Sequence, residues 1–296
     1  MIRELKTLIA IAREGTFAAA GEKVGLTQAA VSAQMHRLEA ELGQVLFDRT
    51  GRSVRLNHTG RQILLQAQEL IRLYDNLGSV DNSVPGEVRV NMGAIASAQR
   101  TLLPTVLARF HHQCRGCHTR VVPGVSIELL NLVDAGEIDF AILIRPSFEL
   151  QADLRWTTLS REPFRLIVPR DVTGDNWVDL LAGQPFVRYD RASFGGRQVD
   201  RFLREKHLYL REVVEVDELE AIVQMVARGV GVALVPQTAP RQRWPAGVRA
   251  IDLGSDTFYR DIGLVHRANW SVGEPVQQLV DLIANAYRAS GHLAPA

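Results

Sequence analysis

Between residues 15 and 43 the chain is punctuated by helix caps and stops. Gly15 closes one apolar-periodic stretch, Thr16 opens the next, Gly25-Leu26 interrupts it, Thr27 opens a third and Gly43 ends it. A threonine hydroxyl accepts a hydrogen bond from a helix's otherwise unpaired first N–H groups. A glycine takes the left-handed conformation that terminates a helix at no steric cost. These signals predict helices over about residues 2–14, 17–24 and 28–42, with Leu5, Leu8, Ile9 and Ala12 on one face of the first. Two short helices joined by a glycine turn outline a helix-turn-helix.

The third stretch begins TQAAVSAQMHRLE, and its two sides differ in kind. At 100° per residue Val31, Met35, Leu38 and Leu42 share a stripe, which predicts a core face. Opposite lie Ala29, Ala33, His36, Arg37 and Ala40, bordered by Gln28 and Ser32. A helix in a DNA major groove brings its backbone close to the base edges, so bulk is excluded at its centre. Ala29 and Ala33 permit that approach, and Thr27, Gln28, Ser32, His36 and Arg37 supply donors and acceptors around them. An amphipathic helix inside a bundle explains the alanines equally well; the residues after Gly43 separate the two readings.

Those residues are QVLFDRTGRSVRLN. Residues 45–47 and 54–56 are strand-like, and residues 48–53 form a basic loop between them. Helix-turn-helix plus hairpin is a winged helix, and Arg49, Arg52 and Arg55 suit phosphate contacts that fix register rather than sequence. The whole chain carries a formal net charge of only +1, so any basic surface must be local. By direct count the first 60 residues hold eight Lys/Arg and six Asp/Glu.

From Asn57, a further cap, a longer helix is predicted to about Gly78. Ile63, Ala67, Leu70, Tyr74 and Leu77 are spaced 4, 3, 4 and 3, which makes a coiled-coil seam of two heptads. With no neighbour in sequence to pack on, the seam predicts a second copy of the chain. Residues 79–87 read as a linker.

Beyond the linker, strands and helices alternate. Strand 87–91, helix 97–111, strand 118–122, helix 126–135 and strand 138–144 read as βαβαβ with a mainly parallel sheet. Strands 164–169, 185–189, 212–216, 231–236 and 261–266 come next, with helices 197–207, 218–228 and 274–289. The fold class is therefore mixed: an α-rich winged helix-turn-helix, a long linker helix, and an α/β domain of two subdomains with a cleft. The expected divisions are 1–57 for the first, 58–87 for the linker and hinge, and 88–296 for the last. Within the last, one subdomain takes about 88–161 and 267–296 and the other about 162–266. No secretory signal fits the start and no window approaches about 18 uninterrupted apolar residues, so no membrane partner is expected and the chain reads as cytoplasmic.

The amino-terminal residues resemble the bacterial LysR-type transcriptional regulators. The resemblance is carried by Gly15-Thr16-Phe17, Ala20, Thr27-Gln28-Ala29-Ala30-Val31-Ser32, Gln34, Leu38-Glu39, Leu42-Gly43, Leu46-Phe47, Arg49, Arg52, Val54, Leu56 and Gly60. Leu103-Pro104, Gly136-Glu137-Ile138-Asp139 and residues 226–236 look like that family's effector-binding domain, so the resemblance spans nearly the whole chain. Gly21 stands where a second alanine is usual, Asn57 where threonine is usual, and HHQCRGCH (111–118) replaces a stretch usually ending in proline. The resemblance implies a homodimer, commonly paired into a tetramer, that binds double-stranded promoter DNA and answers a small inducer. RNA polymerase is a further candidate partner. By position, the inducer cleft would be lined by Ser97, Ser126, Arg145, Tyr189, Ser193, Phe194 and Glu218. Arg145 with helix-start hydroxyls points to an anionic or polar organic effector, although Ser97 and Ser126 are as readily plain helix caps.

Two rival classes compete with this reading. No phosphate loop, HExxH, G-x-S-x-G or dinucleotide turn is present, which speaks against an enzyme, and no motif calls for a cofactor. The alternative is a redox- or metal-responsive regulator using Cys114, Cys117 and the neighbouring His111, His112 and His118. The C-x₂-C spacing suits zinc, but no second pair of ligands is evident, so no metal site is assigned.

Overall fold

The computed structural model describes residues 1–48, 55–77, 88–238, 244–268 and 273–289. They fall into two compact units, one drawn from residues 1–86 with 135–137 and the other from residues 87–134 with 138–296.

The first unit contains α1 (Ile2–Glu14), α2 (Phe17–Val24), α3 (Gln28–Leu42), β1 (Phe47–Asp48), β2 (Arg55–Leu56) and α4 (His58–Leu77). Thr16 and Thr27 cap as the sequence predicts: their hydroxyls accept from Ala19 N at 3.1 Å and Ala30 N at 3.2 Å. Gly25 sits at φ 71°, the left-handed turn a side chain would strain. Leu5, Leu8, Ile11, Ala20, Val31, Met35, Leu38 and Leu46 form the core, and burying each larger aliphatic stabilises by about 1.5–3 kcal/mol. Gly21 has a local reason: a Cβ there would lie 2.5 Å from the Leu26 carbonyl oxygen, so the close turn excludes even alanine unless it shifts. Asn57 caps α4, accepting from Gly60 N at 2.8 Å while its amide donates to Val45 O at 2.8 Å.

The core of this unit also takes in Ala67 and Ile71 of α4, with Ile63 and Leu64 packed beside them. The expectation that α4 lacks a globular neighbour is therefore corrected, because one of its faces lies against α1.

The second unit has two cores. In the first subdomain, β3 (Val88–Ala94) pairs in parallel with β4 (Cys117–Pro123) and β5 (Phe140–Ile144). All five residues of β5 are buried, as a central strand covered on both faces requires. The sheet continues antiparallel through β11 (Tyr259–Arg267) to the first half of β6 (Leu154–Pro169). α6 (Leu103–Gln113), α7 (Ser126–Asp134) and α11 (Glu274–Ala289) pack on it. The second half of β6 enters the second subdomain, where it pairs with β9 (Ala233–Pro236) and β10 (Val248–Ile251). There β7 (Phe186–Tyr189) and β8 (Glu212–Val216) pair in parallel, among α8 (Trp177–Gly183), α9 (Phe194–Glu205) and α10 (Leu219–Ala227).

Four expectations are corrected. The sheet is mixed rather than mainly parallel, since β6, β9, β10 and β11 run antiparallel. The helix read over 97–111 is two, α5 (Ala96–Arg100) and α6, because Pro104 near the start of α6 lacks an N–H and its ring would clash with the Arg100 carbonyl of a continuous helix. β6 begins at Leu154 rather than 164, its first half masked by polar residues such as Arg155, Thr157 and Thr158. Finally, β11 lies in the first subdomain's sheet, so the second crossing comes before Tyr259 rather than near 267.

Candidate functional site

Two regions carry the candidate functional residues. On α3, Val31, Met35 and Leu38 are buried while Thr27, Gln28, Ala29, Ala33, His36 and Arg37 are exposed and Ser32 is half-buried. The outward side is thus a small-residue strip edged with hydrogen-bonding groups. His36 Nδ1 lies 3.5 Å from Glu39 and Arg37 lies 3.7 Å from Glu4, which bias both side chains toward those partners. Arg55 is exposed on β2, opposite Asp48. Arg49 and Arg52 lie outside the described residues.

On α4 the anticipated seam divides. Ala67 is 3% exposed and belongs to its own chain's core, whereas Leu70 and Tyr74 are 38% and 48% exposed. Ile63 is half-buried. Leu77 ends the helix, and its side chain lies outside the described set.

In the second unit a cavity of about 280 Å³ opens between the subdomains. From the first come Ser97 of α5 and Ser126 of α7; from the second come Tyr189, Ser193 and Glu218. Five of the seven residues anticipated for the cleft are therefore brought together. Neither Ser97 nor Ser126 caps its helix. Ser126 Oγ accepts from Ile144 N at 3.1 Å, and Ser97 Oγ accepts from Arg260 Nη2 at 3.3 Å. The capping role falls instead to Ser193, which accepts from Gly196 N at 3.0 Å, and to Glu218, which accepts from Ala221 N at 3.1 Å.

Arg145 and Phe194 do not line the cavity. Side chains alternate along a strand, so where Ile144 faces the cavity Arg145 turns away, exposed, with its guanidinium 5.8 Å from the Trp156 ring centroid. Phe194 is buried beneath the wall, its ring edge-on to Phe148 at 5.9 Å.

The arginine of the cavity is Arg260, which the sequence reading missed. Its side chain is 1% exposed, and Nε donates to Glu162 Oε2 at 2.7 Å, itself 4% exposed. Burial works against the guanidinium charge, but Glu162 and Tyr189 outweigh it and raise the Arg260 pKa. A signal was available: in YRDIGLVHR, Arg260 shares the alternating face of Ile262 and Leu264, marking a charge aimed inward. Asp217 also lines the cavity. Partial burial, then Asp190 and Glu218, push its carboxyl above the usual range, against a hydrogen bond from Ser193 and the attraction of Arg260. Burial likewise raises the Tyr189 hydroxyl.

A second cavity of about 390 Å³ is lined by Arg188, Arg191 and Arg204, with Asp200 and Glu212 among them. Each arginine meets a carboxylate there, so the cluster reads as an ion-pair network of the fold. Cys114 and Cys117, at the end of α6 and the start of β4, are joined by a disulfide and packed against the first core. With both sulfurs so engaged, the zinc-type ligand set is not assembled. Among the described residues no group of three or more His, Cys, Asp or Glu is placed to hold a metal ion. Among them, too, no helix is long and apolar enough to cross a membrane.

Winged helix-turn-helix and two-subdomain cleft together define a ligand-responsive DNA-binding regulator. Residues 2–61 match the bacterial regulatory helix-turn-helix protein, lysR family, and residues 85–288 match the LysR substrate binding domain. The chain belongs to the LysR family of transcriptional regulators. It is 29% identical to the uncharacterized HTH-type transcriptional regulator YfeR of Shigella flexneri, over 95% of this chain and 92% of that protein. Its fold is similar to full-length OxyR from Pseudomonas aeruginosa, with a TM-score of 0.59 and 23% identity over 97% of this chain and 94% of that one. It is also similar to CbnR solved with its target DNA, with a TM-score of 0.53 and 20% identity over 97% and 99% of the two chains.

Proposed function

We propose that this regulator binds promoter DNA as a homo-oligomer, and that a small polar organic molecule in the cavity between its α/β subdomains sets its activity. In this reading the outward side of α3 reads base edges, with Gln28, Ser32, His36 and Arg37 around Ala29 and Ala33. Arg55, together with Arg49 and Arg52, holds phosphates. Exposed Leu70 and Tyr74 on α4 meet the second copy, and residues 79–87 link the parts. The similarity to CbnR, solved with its target DNA, supports the DNA reading.

One observation carries the effector reading: Ser97 and Ser126 from one subdomain and Tyr189, Ser193 and Asp217 from the other converge on a single cavity walled by Arg260. A ligand shifts an equilibrium only by its difference in affinity for two states. A molecule touching both subdomains has such a difference between open and closed clefts. The test is a metabolite screen by thermal shift on the full chain, followed by operator binding with and without each hit. Ser97→Ala with Ser126→Ala should abolish the response to the hit. A hit that still acts on the double variant, or that maps to α4, refutes the placement.

The Cys114–Cys117 disulfide favours a second reading, a redox-responsive regulator. A dithiol reductant would pass two electrons to the bond, freeing two thiols and the turn between α6 and β4. Equal operator affinity before and after reduction would dismiss it.

A further inference from the structure

Resting on the cavity as the effector site, the charge pattern of its walls names the class of molecule it takes. The lining carries one cation, Arg260, and three carboxylates, Glu128, Asp217 and Glu218. Arg260 is already matched by Glu162 from within the wall, and Glu218 by Arg100 at 3.4 Å. Glu128, exposed at the mouth, reaches back to Val125 N at 3.4 Å. Among the described residues Asp217 has no cation within ion-pair distance; it feels the like-charged Asp190 and Glu218, the Ser193 hydroxyl and the attraction of Arg260.

Hydrogen-bond roles sort the same way. Ser97 and Ser126 each accept a bond, from Arg260 and from Ile144 N, which leaves each hydroxyl proton to donate. Beside the guanidinium this makes a corner rich in donors. Ionised Asp217 is an acceptor only. A plain carboxylate suits the donor corner but leaves Asp217 facing a second negative charge. A plain amine suits Asp217 but sets a positive charge against Arg260. A molecule bearing both groups meets both walls, and about 280 Å³ sits at the small end of ligand pockets, which run from roughly 300 Å³ upward.

We propose that the cavity binds a free α-amino acid as a zwitterion, its ammonium on Asp217 and its carboxylate toward Arg260, Ser97 and Ser126. This replaces the anionic effector that Arg145 suggested.

The test is calorimetric titration of the full-length protein with the coded α-amino acids. Each one that binds is compared with its deaminated carboxylic acid and its decarboxylated amine. Both truncations should bind at least about tenfold more weakly, the loss expected for a charge-assisted hydrogen bond. Asp217→Asn should weaken the amino acid by about tenfold and the deaminated acid by no more than about threefold. The proposal is overturned if no amino acid binds, if a deaminated acid binds as tightly as its parent, or if Asp217→Asn leaves the amino acid's affinity intact. Ala96→Trp tells this failure from failure of the underlying reading, because Ala96 is exposed on the cavity wall and the indole fills the space. Binding lost in Ala96→Trp but indifferent to the ammonium removes the amino-acid class alone. Binding untouched by Ala96→Trp removes the cavity itself as the effector site.

Discussion

Arg260 and Glu162 are register partners on β11 and β6, joined by a 2.7 Å hydrogen bond and sealed from solvent next to where β6 passes from one subdomain to the other. Breaking one half of a buried ion pair strands the other charge, at a cost of about 3–5 kcal/mol, whereas replacing both halves by apolar groups is often neutral. Arg260→Met should therefore lower the urea midpoint sharply, and Arg260→Met with Glu162→Leu should restore most of it. If effector binding returns with stability in the double variant, Arg260 does not touch the ligand.

The sides of α4 should separate in mutagenesis. Leu70→Glu with Tyr74→Glu should yield folded monomers with weak operator binding, seen by light scattering and circular dichroism. Ala67→Glu buries an unpaired charge against α1 and should instead unfold the first unit. An unchanged oligomer in the Leu70/Tyr74 variant would refute the dimer assignment.

Base reading and phosphate holding have different signatures. Gln28→Ala should shrink the difference between operator and mutated operator by ~1–3 kcal/mol if a bidentate contact is lost. Arg55→Ala should weaken all sequences alike and reduce the salt slope by about one unit. The reverse pattern would exchange the two roles.

Asp217 gives a pH dependence whose sign is fixed. Its carboxyl holds its proton more tightly folded than unfolded, through burial, Asp190 and Glu218, against Ser193 and Arg260. Folding therefore takes up a proton in the window just above the ordinary carboxylate pKa, and this group's share of stability falls as pH rises through it. Asp217→Asn should remove that share, so the urea midpoint at about pH 7 should rise relative to that at about pH 4 when the variant is compared with wild type. A bound ammonium needs the ionised form, so amino-acid affinity should weaken as pH falls through the same window.

Much of this was legible in the sequence because local signals and packing agree. Thr16, Thr27, Gly25 and Gly43 mark helix ends by chemistry that acts within four residues, and α2 and α11 fall within their anticipated bounds. The cleft serines were placed by position. Arg260 was not, because its role comes from a partner far away in sequence: Glu162 lies 98 residues from it. Arg145 misled for a simpler reason, one step of strand alternation. The first half of β6 was hidden because its exposed face is polar, which blurs it into a loop.

The 16-residue β6 runs unbroken through both sheets, and β11 is laddered to it up to the crossing. A hinge made of loops swings freely, but a continuous paired ribbon yields chiefly by changing its twist. The two lobes then behave less like a door than like the ends of a torsion bar, whose restoring force grows with angle. The register shift between Ile262 and Gly263 interrupts the ladder, and such a bulge bends a strand and raises its local twist. Such a ribbon favours small, graded rotations of the lobes over wide opening.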